Sequence, residues 1–394
     1  TDDIYGEWSE PVTVDQGGID PSLLFDGEHT YFISNGEDEN GENGVTQCEI
    51  DIASGKKLSP SKNIWKGSGG RYLESPHMYK INGEYYLMAA EGGTEYGHMI
   101  TYARGSSVWG AFESYPKNPV LTNRNKAPYI IQGIGHGDLV TDKNGDSFIV
   151  SLGFRQIGIW QPYHNLGREV FLTPVHFDES GWFTAGKDGT TDEEYEIKGD
   201  FTQDILGEFT FKNTDPAIEW SYLRKHHPEN YTLTDEKYIL RGTDITLDEV
   251  DSPTFIALRQ REFRFELSAD VTVDGGEGGI TVYMCENEHY DIAVRKTDSG
   301  YEAVLKLNIG GIKHVQTTLH LEEGRARLIV RGDNNSYNFF AVINGSEEIL
   351  GSGQTKYLSA EVSSPFTGVM LGLYAVGDKN TVEFTDFSCK YNID

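Results

Sequence analysis

The chain has 394 residues, 37% hydrophobic and 12% aromatic, with 45 glycines; this is the composition of folded, turn-rich domains and excludes a disordered segment. Its formal charge of −29 at pH 7 repels nucleic-acid phosphates and anionic lipid, so neither nucleic acid nor membrane is expected as a partner, whereas a neutral sugar is compatible. The three cysteines, Cys48, Cys285 and Cys389, have no metal-ligand spacing and no even count for a disulfide framework, and no apolar run approaches the ~18 residues of a membrane span.

Residues 5–12, Tyr5-Gly6-Glu7-Trp8-Ser9-Glu10-Pro11-Val12, read like Ser107-Val108-Trp109-Gly110-Ala111-Phe112-Glu113 further on. Both predict the closing strand of a repeated unit, and the first of those units begins outside this chain. Three openings then line up. Ile19-Asp20-Pro21-Ser22-Leu23 leads into Thr30-Tyr31-Phe32-Ile33; Leu73-Glu74-Ser75-Pro76-His77 leads into Tyr85-Tyr86-Leu87-Met88; Gly135-His136-Gly137-Asp138-Leu139 leads into Ser147-Phe148-Ile149-Val150. In the second, Asn82-Gly83 separates two apolar runs, the strongest short-range hairpin signal. Short-strand units repeating at 54 and 62 residues predict β-propeller blades. Equivalent positions on inner strands ring a propeller's axis, so Asp20, Glu74 and His136 are expected at one mouth. Asp before Pro also caps turns; the shared repeat position favours convergence.

The third unit continues through Leu166-Gly167-Arg168-Glu169 to Gly181-Trp182-Phe183. Residues 184–202 lack apolar periodicity and are expected to form a linker. From 203 to 394 short alternating strands with Gly- and Asn-rich turns predict a β-sandwich of jelly-roll type. The expected organisation is therefore all-β: a partial propeller over 1–183, a linker over 184–202 and a sandwich over 203–394. Propellers close with ~4–8 blades, so three units and a closing strand leave open sheet faces.

The phrases Gly17-Gly18-Ile19-Asp20-Pro21-Ser22-Leu23, Gly69-Gly70-Arg71-Tyr72-Leu73-Glu74, Glu91-Gly92-Gly93-Thr94-Glu95-Tyr96-Gly97-His98-Met99, Gly135-His136-Gly137-Asp138-Leu139-Val140 and Leu166-Gly167-Arg168-Glu169 resemble glycoside hydrolase family 43, in its β-xylosidase and α-L-arabinofuranosidase branch. Arg259-Gln260-Arg261 and Glu286-Asn287-Glu288-His289-Tyr290-Asp291 carry the resemblance through the sandwich. It implies a five-bladed propeller followed by a sandwich. It also implies inverting, exo-acting hydrolysis of xylan or arabinoxylan oligosaccharides. Glu74 matches the family's general acid, and Asp20 the carboxylate that orients it and adjusts its pKa. Arg168 matches the arginine that holds the terminal sugar. His136 matches a central histidine that in some members binds a metal ion or its water, so Ca²⁺ near the axis is the one cofactor the resemblance allows. Met370 aligns with a sandwich residue that reaches the sugar pocket in some relatives, though a core role suits a methionine equally. Ser75 stands where relatives commonly carry glycine.

The family's general base lies in an Asp-Pro motif of the first blade. Asp20 also precedes a proline, but Trp8-Ser9-Glu10-Pro11 and Gly17-Gly18 flank the orienting carboxylate in the family. The base is thus expected on an N-terminal segment outside this chain. That makes the missing segment, with a separate chain as one way to supply it, an expected partner; a homo-oligomer is also allowed. The alternative is a catalytically inactive carbohydrate-binding or scaffolding remnant. Single thiols and an acidic surface lean towards the cytoplasm, with secretion as the alternative. Xylose and arabinose are not distinguished.

Overall fold

Each of the three openings forms the first strand of a four-stranded antiparallel sheet. The first sheet comprises β1 (Ile19–Asp26), β2 (His29–Glu37), β3 (Asn43–Ile50) and β4 (Lys62–Trp65); the second β5 (Glu74–Ile81), β6 (Glu84–Glu91), β7 (Met99–Gly105) and β8 (Glu113–Ser114); the third β9 (Ile131–Thr141), β10 (Ser147–Arg155), β11 (Glu169–Phe177) and β12 (Phe183–Ala185). Strands follow sequence order within each sheet, the meander of a propeller blade. The turn between β5 and β6 has positive φ at both Asn82 (52°) and Gly83 (86°), as a two-residue type I′ hairpin requires. This computed structural model describes residues 1–199, 207–363 and 366–391.

Apolar side chains from neighbouring blades interlock. Leu24, Ile33, Val45 and Trp65 of the first blade pack with Met78, Leu87 and Ala103 of the second. Tyr86, Met88, Ile100 and Tyr102 of the second pack with Ile134, Ile149, Val175 and Phe183 of the third. Tyr102 is the polar pin of that second core. Its ring stacks on Phe183 with centroids 3.9 Å apart. Its hydroxyl donates to the Phe183 carbonyl at 2.9 Å and accepts from the Phe183 N–H at 2.8 Å. Tyr102→Phe keeps the packing and strands two buried backbone groups. The expected cost is about 1–3 kcal/mol, read as a lower midpoint in urea denaturation followed by tryptophan fluorescence.

The outer blades carry exposed apolar side chains. Ile19 (50% exposed), Leu23 and Phe25 (64%) stand on β1, and Val170 and Leu172 on β11. Val12, Leu23, Phe32 and Ile52 border an open depression of about 440 Å³ on the first blade. Residues 5–12, expected as a closing strand, form no strand. A strand requires a partner for its backbone groups, and none of the described strands pairs with this segment.

The chain divides into two units, Thr1–Arg155 with Glu169–Lys198, and Gln156–Arg168 with Gly199–Asp394. The expected boundary at 183 changes in two ways. Thr184 and Ala185 belong to β12, and much of the expected linker packs on the third blade. Thr122 N–H donates to the Gly189 carbonyl at 2.8 Å, and Thr191 N–H donates to Asn123 Oδ1 at 3.0 Å. Polar composition suggested a free segment, but its hydroxyls and backbone groups find partners within the first unit. In addition, Gln156–Arg168 leaves the blade sequence to join the second unit. Residues 200–202 of the expected linker, and 203–206, 364–365 and 392–394 of the expected sandwich, lie outside the described residues.

The second unit is a sandwich of two antiparallel sheets. One runs Tyr231–Leu233, Lys237–Arg241, Thr381–Tyr391, Phe265–Val273, Arg325–Gly332, Ser336–Ile343 and Ser346–Gln354, with Glu208–Phe209 paired to Thr381–Tyr391. The other runs Trp220–Tyr222, Thr254–Arg259, Met370–Val376, Glu277–Cys285, Glu288–Thr297, Gly300–Ile309 and Ile312–Leu321. Alternate residues of both, such as Phe265, Val282, Tyr290, Phe339 and Phe384, fill the core between the layers. The 286–291 motif is explained by burial of charge. His289 Nδ1 lies 2.9 Å from Asp291 and Nε2 lies 3.2 Å from Asp248. Burial opposes the imidazolium, but the Asp291 and Asp248 carboxylates outweigh it and push the His289 pKa up to about 9.

Candidate active site

Each blade's first strand carries a β-bulge. The pairing of β1 with β2 slips between Ile19 and Ser22, that of β5 with β6 between Glu74 and His77, and that of β9 with β10 around His136. Three non-glycine residues at these bulges have positive φ: Asp20 (50°), Ser75 (52°) and His136 (46°). Bulges re-aim side chains and recur beside active sites.

This register corrects the expected equivalence by one residue. Asp20, Ser75 and His136 share the bulge position, whereas Glu74 is the residue before it, matching Ile19 and Gly135. The proline after Asp20 and after Ser75 is the sequence signal for the true alignment. Glu74 nevertheless meets the other two electrostatically. Its pKa is raised, chiefly by burial and further by the Asp20 carboxylate, while His136 pulls it down. Asp20 Oδ2 accepts the Ser75 N–H at 3.0 Å, so the Asp20 carboxylate is tied to the backbone that carries Glu74. Ser22 Oγ donates to the Pro76 carbonyl at 2.5 Å and links the same two strands.

A second polar layer lies one step along the inner strands, and the three openings alone do not single it out. His77 Nδ1 stands 3.0 Å from Asp138 Oδ1. The Tyr79 hydroxyl donates to Asp138 at 2.8 Å and accepts the Leu139 N–H at 2.9 Å. The His77 hydrogen bond, more than its burial, sets the direction of the Asp138 shift, which is downward. Asp138 is thereby kept ionised, and it braces β5 against β9. The bulge register would have exposed this layer in the sequence, because His77 and Asp138 occupy matching positions two residues beyond Ser75 and His136.

Among the described residues, no group of three or more His, Cys, Asp or Glu side chains is arranged to hold a metal ion. His136 enters below only as a polar neighbour of Glu74.

Arg168 and Met370 belong to the second unit. Arg168 ends the Gln156–Arg168 segment, and its guanidinium lies 5.1 Å from the centre of the Phe366 ring. The segment is anchored by Val369 N–H donating to the Asn165 carbonyl at 2.8 Å. Asn165 Nδ2 donates to the Tyr337 hydroxyl at 2.7 Å. Arg259 donates to the carbonyls of Leu166 at 2.6 Å and Arg168 at 2.5 Å. These donors fix the backbone of Arg168 and leave its own guanidinium to the Phe366 ring. Met370, paired in register with Arg259, is half-buried and packs against the cluster of Phe255, Tyr283 and Tyr374.

Comparison with known proteins decides the family. Residues 1–183 match Glycosyl hydrolases family 43, and residues 208–390 match the beta xylosidase C-terminal Concanavalin A-like domain. A non-reducing end alpha-L-arabinofuranosidase of Bacteroides ovatus is 34% identical over 411 residues, spanning 98% of this chain and 74% of the relative. This chain belongs to glycoside hydrolase family 43. A Butyrivibrio fibrisolvens xylosidase/arabinosidase is 29% identical over 99% of the chain and 79% of its own length. Among solved family 43 structures, the xylan beta-1,4-xylosidase of Bacillus halodurans superposes with a TM-score of 0.89 at 26% identity, covering 99% of this chain and 80% of that one. Bacteroides ovatus xyloglucan PUL GH43B gives 0.89 at 32% identity, covering 99% and 78%. The family 43 fold is a five-bladed propeller with a sandwich, of which the described residues supply three blades and the sandwich.

Proposed function

We propose that this family 43 glycosidase removes terminal xylose or arabinofuranose residues from xylan-type oligosaccharides with inversion. The raised pKa of Glu74 beside the Asp20 carboxylate carries the reading. Breaking an acetal needs a proton on the leaving oxygen, and a carboxyl is useful as its donor when burial and a neighbouring negative charge keep it protonated towards neutral pH. Asp20, held by the Ser75 N–H, supplies that charge and fixes the acid's position. The resemblance to the family gives Arg168, whose guanidinium has directional donors for vicinal hydroxyls, the part of holding the terminal sugar. The relatives' names include both xylosidase and arabinofuranosidase, so both pentoses belong in the assay.

An inverting enzyme needs a base ~6.5–9.5 Å from the acid, on the far side of the sugar. We assign it to a propeller segment outside these 394 residues, seated on the exposed apolar faces of the outer blades. A catalytically inactive remnant would have no use for a carboxyl tuned by a neighbouring one. The test follows the first sugar released from a xylo-oligosaccharide by proton NMR, using the enzyme with all its propeller segments. The expected first product is the α-anomer of xylose. Initial release of the β-anomer, or binding without any release of xylose or arabinose, overturns the proposal.

A further inference from the structure

The segment 67–73 leads directly into Glu74, and it is built around a buried carboxylate. Glu91, at the end of β6, is 0% exposed. It accepts the Ser68 N–H at 2.6 Å, the Ser68 hydroxyl at 3.2 Å, the Gly70 N–H and the Thr101 hydroxyl at 2.8 Å. A side chain at Gly70 would collide with that carboxylate. The next residues lock the other end. Gly92 N–H donates to the Arg71 carbonyl at 2.7 Å. Arg71 Nε donates to the Gly92 carbonyl at 3.2 Å, and its guanidinium pairs with Glu95.

The outcome of this clamping is Tyr72. Its φ is 53°, a left-handed conformation that is uncommon for a bulky side chain. Its ring is 61% exposed, and the Arg71 guanidinium lies 5.2 Å from the ring centre. A left-handed aromatic held rigidly in water contributes little to a core, and strain of this kind concentrates at ligand clamps. Its position gives it a use. A single residue, Leu73, separates it from Glu74, so their Cα atoms lie within about 7 Å. Glu74 delivers its proton to the bridging oxygen, and the leaving group begins at that atom. An exposed ring beside the acid therefore meets the leaving sugar rather than the terminal one.

We propose that Tyr72 is the stacking platform for the leaving-group sugar, offering its ring to the C–H face of a pyranose, with Arg71 fixing the ring and donating to hydroxyls at its edge. The proposal rests on the glycosidase reading and adds the subsite for the second sugar. Glu91 is the positioning residue behind that platform.

Calorimetric titration of the complete enzyme, in a Glu74→Gln background that prevents turnover, tests the platform with xylose and xylobiose. Arabinose and an arabinose-capped xylobiose form a parallel pair. The disaccharide is expected to bind more tightly than its monosaccharide. Tyr72→Ala should weaken the longer ligand by about tenfold, or 1.4 kcal/mol, and leave the monosaccharide within twofold. Tyr72→Phe should retain the advantage. Unchanged monosaccharide affinity certifies that the variant site is folded. If Tyr72→Ala keeps the advantage, or weakens both ligands equally, the platform is wrong while the glycosidase reading stands. If the parent enzyme takes up neither pair, both fall.

Discussion

Replacing Glu74 with Gln is expected to lower kcat/KM on xylobiose by about 10²–10⁴-fold, the usual worth of a general acid. The loss should depend on the leaving group. A nitrophenolate departs without protonation, so an activated aryl pentoside should lose far less than a sugar. A merely structural role for Glu74 would depress both substrates alike. The pH profile gives a second signature. The acid works while protonated, so the parent enzyme's activity should fall as pH rises through the elevated pKa of Glu74, and this alkaline limb should vanish in the variant. The same shift bears on stability. A carboxyl whose folded-state pKa lies above its unfolded value stabilises the fold at pH below the unfolded pKa, and that contribution is lost as pH rises through the folded pKa. Glu74→Gln removes the group that carries this loss. The variant should therefore melt slightly higher than the parent near neutral pH, with the gap closing in acid, a comparison that thermal denaturation at two pH values would make.

The periodic parts of this architecture could be read from the chain. Asn82-Gly83 between apolar runs specifies a hairpin by its φ requirements, and repeating polar-Pro or polar-Gly openings announce the blades. The strand positions of Asp20, Glu74 and His136 were legible to within one residue of register. Asp20, Glu74 and His136 do share one electrostatic neighbourhood, but the side chain that corresponds to Asp20 and His136 is Ser75. Spacing alone cannot show which residue a bulge leaves unpaired, because pairing partners belong to the next strand. What lay beyond the sequence depends on contacts between distant segments. The hydroxyl of Tyr102 satisfies both backbone groups of Phe183, 81 residues on. The carbonyls of Leu166 and Arg168 are held by Arg259. Neither pair has a local signature. The 184–202 stretch misled for a related reason: polar residues without periodicity can lie free or can be tied down by their own hydroxyls, as the buried Thr191 is by the Thr173 hydroxyl 2.8 Å away.

Asp20→Asn separates the two causes of the raised Glu74 pKa. Burial is the larger and stays in the variant; the Asp20 charge is the smaller and disappears, while the downward pull of His136 persists. The sign is then fixed. A neighbouring negative charge makes ionisation of Glu74 less favourable, so its removal lowers the pKa, and the proton is lost at lower pH. The alkaline limb of kcat/KM should move towards acid without disappearing, and the limb set by the base should stay in place. The fall in rate at the optimum should be large as well. Asparagine can still accept the Ser75 N–H through its amide oxygen, but it no longer adds the negative charge that favours the protonated form of Glu74. A carbon-13 NMR titration of the Glu74 carboxyl reads this shift without requiring turnover. An unmoved Glu74 pKa in Asp20→Asn would mean that the carboxylate orients the acid without tuning it. A Glu74 pKa that rose would contradict the electrostatic coupling on which the assignment of acid and partner depends.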